Sequence, residues 1–299
     1  MSTLRSGLYS SALVLVATIG ASSVASAQEP ATGLLTSKPA TPGSTDVTTE
    51  GFDKIDVKKE RTAKDATELQ LSAGVLGSSG NARLVSMTGA GRFRARREDN
   101  QFSLAIAGNR ASSSTKEGQP MQTTLSNVQG KVRYDRFLGE GFAAFASLSG
   151  RNDRFQGLLL RTNLDPGIAY YFVDTSVHQL WTEVGYDWQH DVRREAILTA
   201  AAAQGIFLDK TDSLHSGRLF LGYNGSVNKA VSFMTGAEYL QGLQDTKYWR
   251  FNWDAGLTSA LSNSFSFSTT FSLRYDHAPL PGVRNTDTIT AVTLVYTLL

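Results

Sequence analysis

Fifteen ionisable side chains stand at alternate positions of segments whose intervening residues are largely apolar: Arg92, Arg94, Lys131, Arg133, Asp135, Arg161, Asp165, Glu183, Asp187, Arg218, Glu238, Arg250, Asp254, Arg274 and Asp276. Eight are cations and seven are carboxylates. In an extended chain, alternation puts each set on one face. Three chemistries are open to such a face. Arg and Asp or Glu can fill a narrow interior with ion pairs, a ring of charge can select solutes crossing through water, and a base beside a nucleophile can cleave a substrate. The near balance of signs favours the ion-pair network, lining at most a narrow pore, over a single-signed filter.

A second group could do acid–base work. His190, His215 and His277 stand beside Asp191, Asp212 and Asp276, and Ser213 shares a face with His215 two residues on. A general base has to reach its partner by a hydrogen bond, and no spacing typical of a serine hydrolase or a metal site accompanies these residues. They read as solvated loop histidines. The chain is therefore expected to be non-enzymatic, with no metal and no cofactor. A lipid- or peptide-modifying centre at that rim is the alternative from a different class.

The elements that must position the charges are strands. Residues 125–172 read as three in succession. Val128, Gly130, Val132 and Tyr134 alternate with Gln129, Lys131, Arg133 and Asp135, over about the 9–11 residues that a strand needs to cross a bilayer. The same pattern recurs through twelve segments: 69–76, 84–95, 101–109, 124–137, 142–150, 158–172, 179–190, 214–224, 231–240, 249–261, 265–276 and 287–299. Ten or fourteen strands remain open. In a transmembrane barrel with both ends on one side, every second connection is short. Residues 96–100, 138–141, 173–178, 225–230 and 262–264 fit that rule, whereas 110–123, 151–157, 191–213, 241–248 and 277–286 are longer. Only the first connection, 77–81, breaks the pattern.

Aromatic residues on the outward parity form two groups. Trp188, Tyr239, Trp249, Trp253 and Tyr275 fall toward the long loops, and Tyr134, Tyr170, Phe172, Tyr223 and Tyr296 toward the short turns. Amphipathic rings prefer the headgroup level of a bilayer, so two groups predict two membrane-interface girdles. The fold expected is all-β: a single transmembrane antiparallel β-barrel of about twelve strands. Within the longest loop, residues 195–204 are strong helix formers that stop at Gly205, which predicts a short helix over the mouth or on the lipopolysaccharide surface.

The chain has 299 residues, 41% hydrophobic and 19% charged, with no cysteine and a net charge of +2. A polytopic helical membrane protein would need about 20 apolar residues per span, and the only long apolar run lies at residues 12–22. That run belongs to a secretory signal peptide, 1–27, with Arg5 before it and a small-residue cleavage site at Ala25 and Ala27 after it. Residues 28–66 are rich in Pro, Thr, Ser and charge and read as a disordered periplasmic linker. Residues 67–299 are the barrel. The absence of Cys excludes disulfides and lipoprotein attachment, and the small net charge gives no reason to expect nucleic acid. The expected location is the bacterial outer membrane. The expected partners are its lipid and lipopolysaccharide, with the insertion machinery reading the final strand, and the barrel is expected as a monomer.

The runs Lys131-Val-Arg-Tyr-Asp-Arg-Phe-Leu138, Arg151-Asn-Asp-Arg-Phe-Gln-Gly-Leu158 and Asn163-Leu-Asp-Pro-Gly-Ile-Ala-Tyr170 resemble the salt-induced outer-membrane proteins of the YdiY type, as does the Gly-Ser-Ser-Gly-Asn81 turn. The resemblance covers about residues 67–299. It implies a bacterial outer-membrane barrel made under an envelope or salt condition. Because that family is a domain of unknown function, it implies no activity and no catalytic residue.

Overall fold

The computed structural model describes residues 65–78, 83–114, 119–139, 141–175, 177–228, 230–279 and 285–297. The expected signal peptide, its cleavage residues Ala25 and Ala27, and nearly all of the expected linker lie outside them. Twelve strands close into one antiparallel barrel. They are β1 (Asp65–Ser78), β2 (Arg83–Arg97), β3 (Asn100–Ser114), β4 (Gln122–Gly139), β5 (Phe142–Asp153), β6 (Leu158–Asp174), β7 (His178–Arg193), β8 (Thr211–Ser226), β9 (Val231–Gly242), β10 (Trp249–Ala260), β11 (Phe265–Asp276) and β12 (Thr286–Thr297). Each strand pairs with its sequence neighbours, and β1 closes on β12 through a short register from Gln70↔Thr297 to Ala73↔Leu294. Closure leaves no free sheet edge.

Most strands run further than alternation alone located them. β1 starts at Asp65, β5 ends at Asp153 and β7 at Arg193. The extra residues are mostly polar, so their alternation is weak, but they pair across the sheet all the same. The connection after β5 therefore shrinks to residues 154–157. Asp153 holds that turn, accepting from the Phe155 and Gln156 amides at 3.0 and 3.1 Å and from Arg151 at 2.9 Å.

Burial is inverted relative to a water-soluble barrel. Outward positions such as Val128, Ile168, Val184 and Leu219 are exposed and apolar, while Gln129, Lys131, Glu183 and Arg218 on the alternate positions are buried. The interior also holds an apolar cluster of Ala143, Phe145, Ala169, Tyr171, Trp181 and Phe220, with Phe137 against it. Trp181 has room because residue 222 is glycine: a Cβ there would strike the indole.

The long loop contains α1 (Glu195–Ala202), followed by Gly205 at φ +76°. The helix docks on the β5–β6 turn. The Arg194 amide donates to the Gly157 carbonyl at 2.8 Å, and its side chain donates to the Leu158 carbonyl at 3.2 Å and to Asn152 at 2.9 Å. Ile197 and Ala201 are buried there, with Ile197 Cβ at 3.0 Å from where a Cβ on Gly157 would lie. Ile197→Ala should release the helix at a cost of about 2–4 kcal/mol. The measurement is limited trypsin digestion of the folded barrel, in which cleavage at Arg194 and Lys210 should accelerate while the strands stay intact.

Candidate functional site

The interior charges divide into a buried network and a set of partly exposed pairs. The network centres on Glu183 of β7. Arg133 of β4 donates to both of its oxygens at 3.0 and 3.1 Å, Arg218 of β8 donates at 2.9 Å, and the Trp181 indole donates at 3.1 Å. Arg133 also donates to Asp135 at 2.7 and 2.9 Å. Arg218 donates to Glu238 at 2.7 Å, and Asn252 donates to Glu238 at 2.8 Å. These bonds link β4 to β7 across the interior and then run along the wall to β10. The Arg133 guanidinium lies 4.1 Å from the centre of the Phe145 ring, so the network rests directly on the aromatic cluster.

Toward the long-loop end, Arg161 donates to Asp191 at 2.5 and 2.7 Å. Gln189 donates to the same carboxylate at 3.2 Å. Arg250 reaches from β10 to Asp187 on β7 at 3.3 Å and hydrogen-bonds Gln189, while Asn163 donates to Asp187 at 2.7 Å. Asp165 accepts from Ser147 at 3.0 Å, and Lys131 is buried in the same wall. Arg274 and Ser272 both donate to Asp254, at 2.8 and 2.5 Å. Arg94 pairs with Glu68 at 2.5 and 3.1 Å. Arg92 is half-buried two residues before it. Asp276 takes a different part, accepting from the Ala278 amide at 3.0 Å where β11 turns.

Side-chain size divides the interior into two halves. From β4 to β10 it is filled by the Glu183 network and the aromatic rings. The inward residues of β11, β1 and β2 are mostly short: Ser266, Ser268, Thr270, Ser72, Ser86, Thr88 and Ala90. Several of these, with Arg92, Arg94 and Arg274, are only half-buried. Alternation pointed to the charged faces but did not place Glu68 and Asp191, which lay beyond the strand ends read from the sequence, on the inner wall, and it passed over the uncharged Gln189. It also missed the inward aromatics Phe145, Tyr171, Trp181 and Phe220. Their inward parity was the available signal. In the run Tyr170-Tyr-Phe172, for instance, Tyr171 must face opposite to its neighbours.

The ten aromatic residues expected to form the girdles all stand on outward positions. Near the short turns, Phe142 packs against Tyr170, Tyr170 edge-on against Phe172, Tyr223 against Phe233 and Phe265 against Tyr296. Tyr134 donates to Asn100 at 2.6 Å. Near the long loops, Trp249 packs against Tyr239, Tyr275 and His277, Trp188 against His190, and Trp253 against Phe271.

The rim histidines do not converge on one centre. Ser213 pairs with His190 across the β7–β8 register at 2.8 Å, while His215 pairs with Tyr186 and His277 stacks on Trp249. The neighbouring carboxylates are held elsewhere, Asp191 by Arg161 and Asp212 by Arg193 at 2.8 Å. The His190 ring stacks on Trp188 rather than on an acid, and among the described residues no group of three His, Asp or Glu residues could hold a metal ion.

No curated protein matches the chain. Among solved structures it is similar to an outer membrane channel from Pseudomonas putida F1, at 10% identity and a TM-score of 0.46, over 82% of this chain and 99% of that one. It is also similar to the NanC porin, at 11% identity and a TM-score of 0.41, over 78% and 98%. A third is the translocator domain of the autotransporter NalP from Neisseria meningitidis, at 11% and 0.38, over 78% and 87%. Residues 71–298 match the family model described as protein of unknown function, DUF481, and the chain belongs to that family.

Proposed function

We propose that this chain is a non-enzymatic barrel of the bacterial outer membrane that carries a narrow aqueous passage. The observation that carries the reading is the inverted burial. A continuous apolar exterior flanked by two bands of aromatic residues suits a bilayer, and polar side chains buried inside such a barrel suit water or ion pairs. The passage runs along the wall of short side chains on β11, β1 and β2, beside the filled half. Its lining is drawn from Arg92, Arg94 and Arg274 along that wall, with Arg161 and Arg250 at its long-loop mouth, while Arg133, Asp135, Glu183, Arg218 and Glu238 restrict it. The apolar exterior makes lipid and lipopolysaccharide the surroundings, with residues 1–27 as export signal, 28–66 on the periplasmic side and the barrel as a monomer. A role under salt or osmotic stress, as in the YdiY-type proteins, fits a passage too narrow for general uptake.

The test is planar-bilayer conductance of the full-length mature chain, refolded in detergent and added to a membrane in concentrated KCl. Small, discrete and reproducible openings are expected. A barrel shown to be folded by its strand circular dichroism and heat-shifted gel mobility, yet electrically silent, would overturn the passage.

A further inference from the structure

Four partly exposed ion pairs of the interior share one orientation. Side-chain exposure is 21% for Arg94 against 8% for Glu68, and 30% for Arg161 against 8% for Asp191. It is 17% for Arg250 against 3% for Asp187, and 17% for Arg274 against 11% for Asp254. In every case the arginine is the more exposed partner. Neighbours reinforce this order. Gln189, Asn163 and Ser272 donate to Asp191, Asp187 and Asp254, occupying acceptor positions that a passing cation would need. A guanidinium has five N–H donors in a fixed fork; Arg161 gives two of them to Asp191, whereas Arg274 also donates to the Trp253 and Leu273 carbonyls. The two arginines of the buried network differ, since Arg133 and Arg218 are 5% and 2% exposed.

The pairs are spread along the passage. Arg161, Arg250 and Arg274 lie within three residues of the long-loop ends of β6, β10 and β11, and Arg94 lies toward the short-turn end of β2. The formal charge along this path is nearly balanced, but Coulomb interaction falls with distance. A solute in the passage meets the more exposed arginine more strongly than its more buried carboxylate partner. Low-dielectric walls and a narrow bore strengthen that difference.

We infer that the passage is selective for anions, and that its preferred solutes are small molecules bearing carboxylate or phosphate groups, whose paired oxygens match the guanidinium fork. The inference rests on the passage proposed above and adds the sign and chemistry of what crosses it.

The experiment is the zero-current potential of the conducting full-length barrel in a KCl gradient. Chloride should be preferred over potassium by roughly threefold or more, as for pores lined by exposed charge of one sign. In Arg161→Gln/Arg250→Gln the ratio should fall toward one. In Asp254→Asn, which leaves Arg274 in place, it should rise. Citrate added on the long-loop side should reduce the chloride current of the wild-type barrel and do so less in the double variant. A wild-type barrel that conducts with no preference, or prefers potassium, would overturn the anion inference and leave the passage standing. A folded barrel that never conducts overturns both. The wild-type measurement decides the matter even if a variant fails to fold.

Discussion

Glu183→Ala is expected to destabilise the barrel by about 3–5 kcal/mol, the cost of removing one partner from a buried ionic cluster. Glu183 is fully buried and accepts from two arginines and from the Trp181 indole. Without it, Arg133 keeps Asp135 and Arg218 keeps Glu238, but two guanidinium groups then share an interior with less compensating charge. Glu183→Gln retains a hydrogen-bond acceptor and should cost less, about 1–3 kcal/mol. The measurement is the urea midpoint of the refolded protein in micelles, followed by tryptophan emission. If the alanine variant unfolds within about 1 kcal/mol of the wild type, the cluster does not brace β4 against β7. The same variant removes the bridge across the interior, so the conductance of whatever folds should increase.

Trp181→Ala is expected to have the largest effect on the passage itself. The indole is 2% exposed and packs between Tyr171, at 6.3 Å between ring centres, and Phe220, at 5.7 Å. Its removal should cost about 3–5 kcal/mol, as for other buried aromatic truncations. It should also widen the filled half enough for water to enter beside Glu183. The expected readout is a several-fold rise in single-channel current, from the added cross-section. Gly222→Ala is the complementary variant. Its Cβ would strike the Trp181 ring, so the ring has to move from its present seat. Both variants should raise conductance, and the glycine variant should do so without deleting the aromatic group. If neither alters the current, the restriction lies elsewhere along the barrel.

Alternation in the sequence is enough to read a barrel of about twelve strands, with ten or fourteen left open, and to tell which face of each strand is inside. The reason is the exact two-residue period of the pleat: once Val132 faces outward, Lys131 and Arg133 must face inward. The turns between the alternating runs favoured twelve strands, the number that the closed barrel has, and the helix at Glu195–Ala202 followed from its run of helix formers. Strand ends were less legible, because around polar terminal residues such as Glu68 and Asp191 the alternation is weak, yet they still pair. For that reason the partners of Arg94 and Arg161 stayed hidden. Only the tertiary structure decided which inward residues meet. Arg133 and Glu183 are 50 residues apart and Arg250 and Asp187 are 63 apart, and their encounters depend on closure, stagger and strand tilt, which no local period encodes. The order of exposure within each of the four pairs, arginine above carboxylate, was likewise unreadable. It depends on which neighbouring strand supplies the additional donors that hold the carboxylate in place.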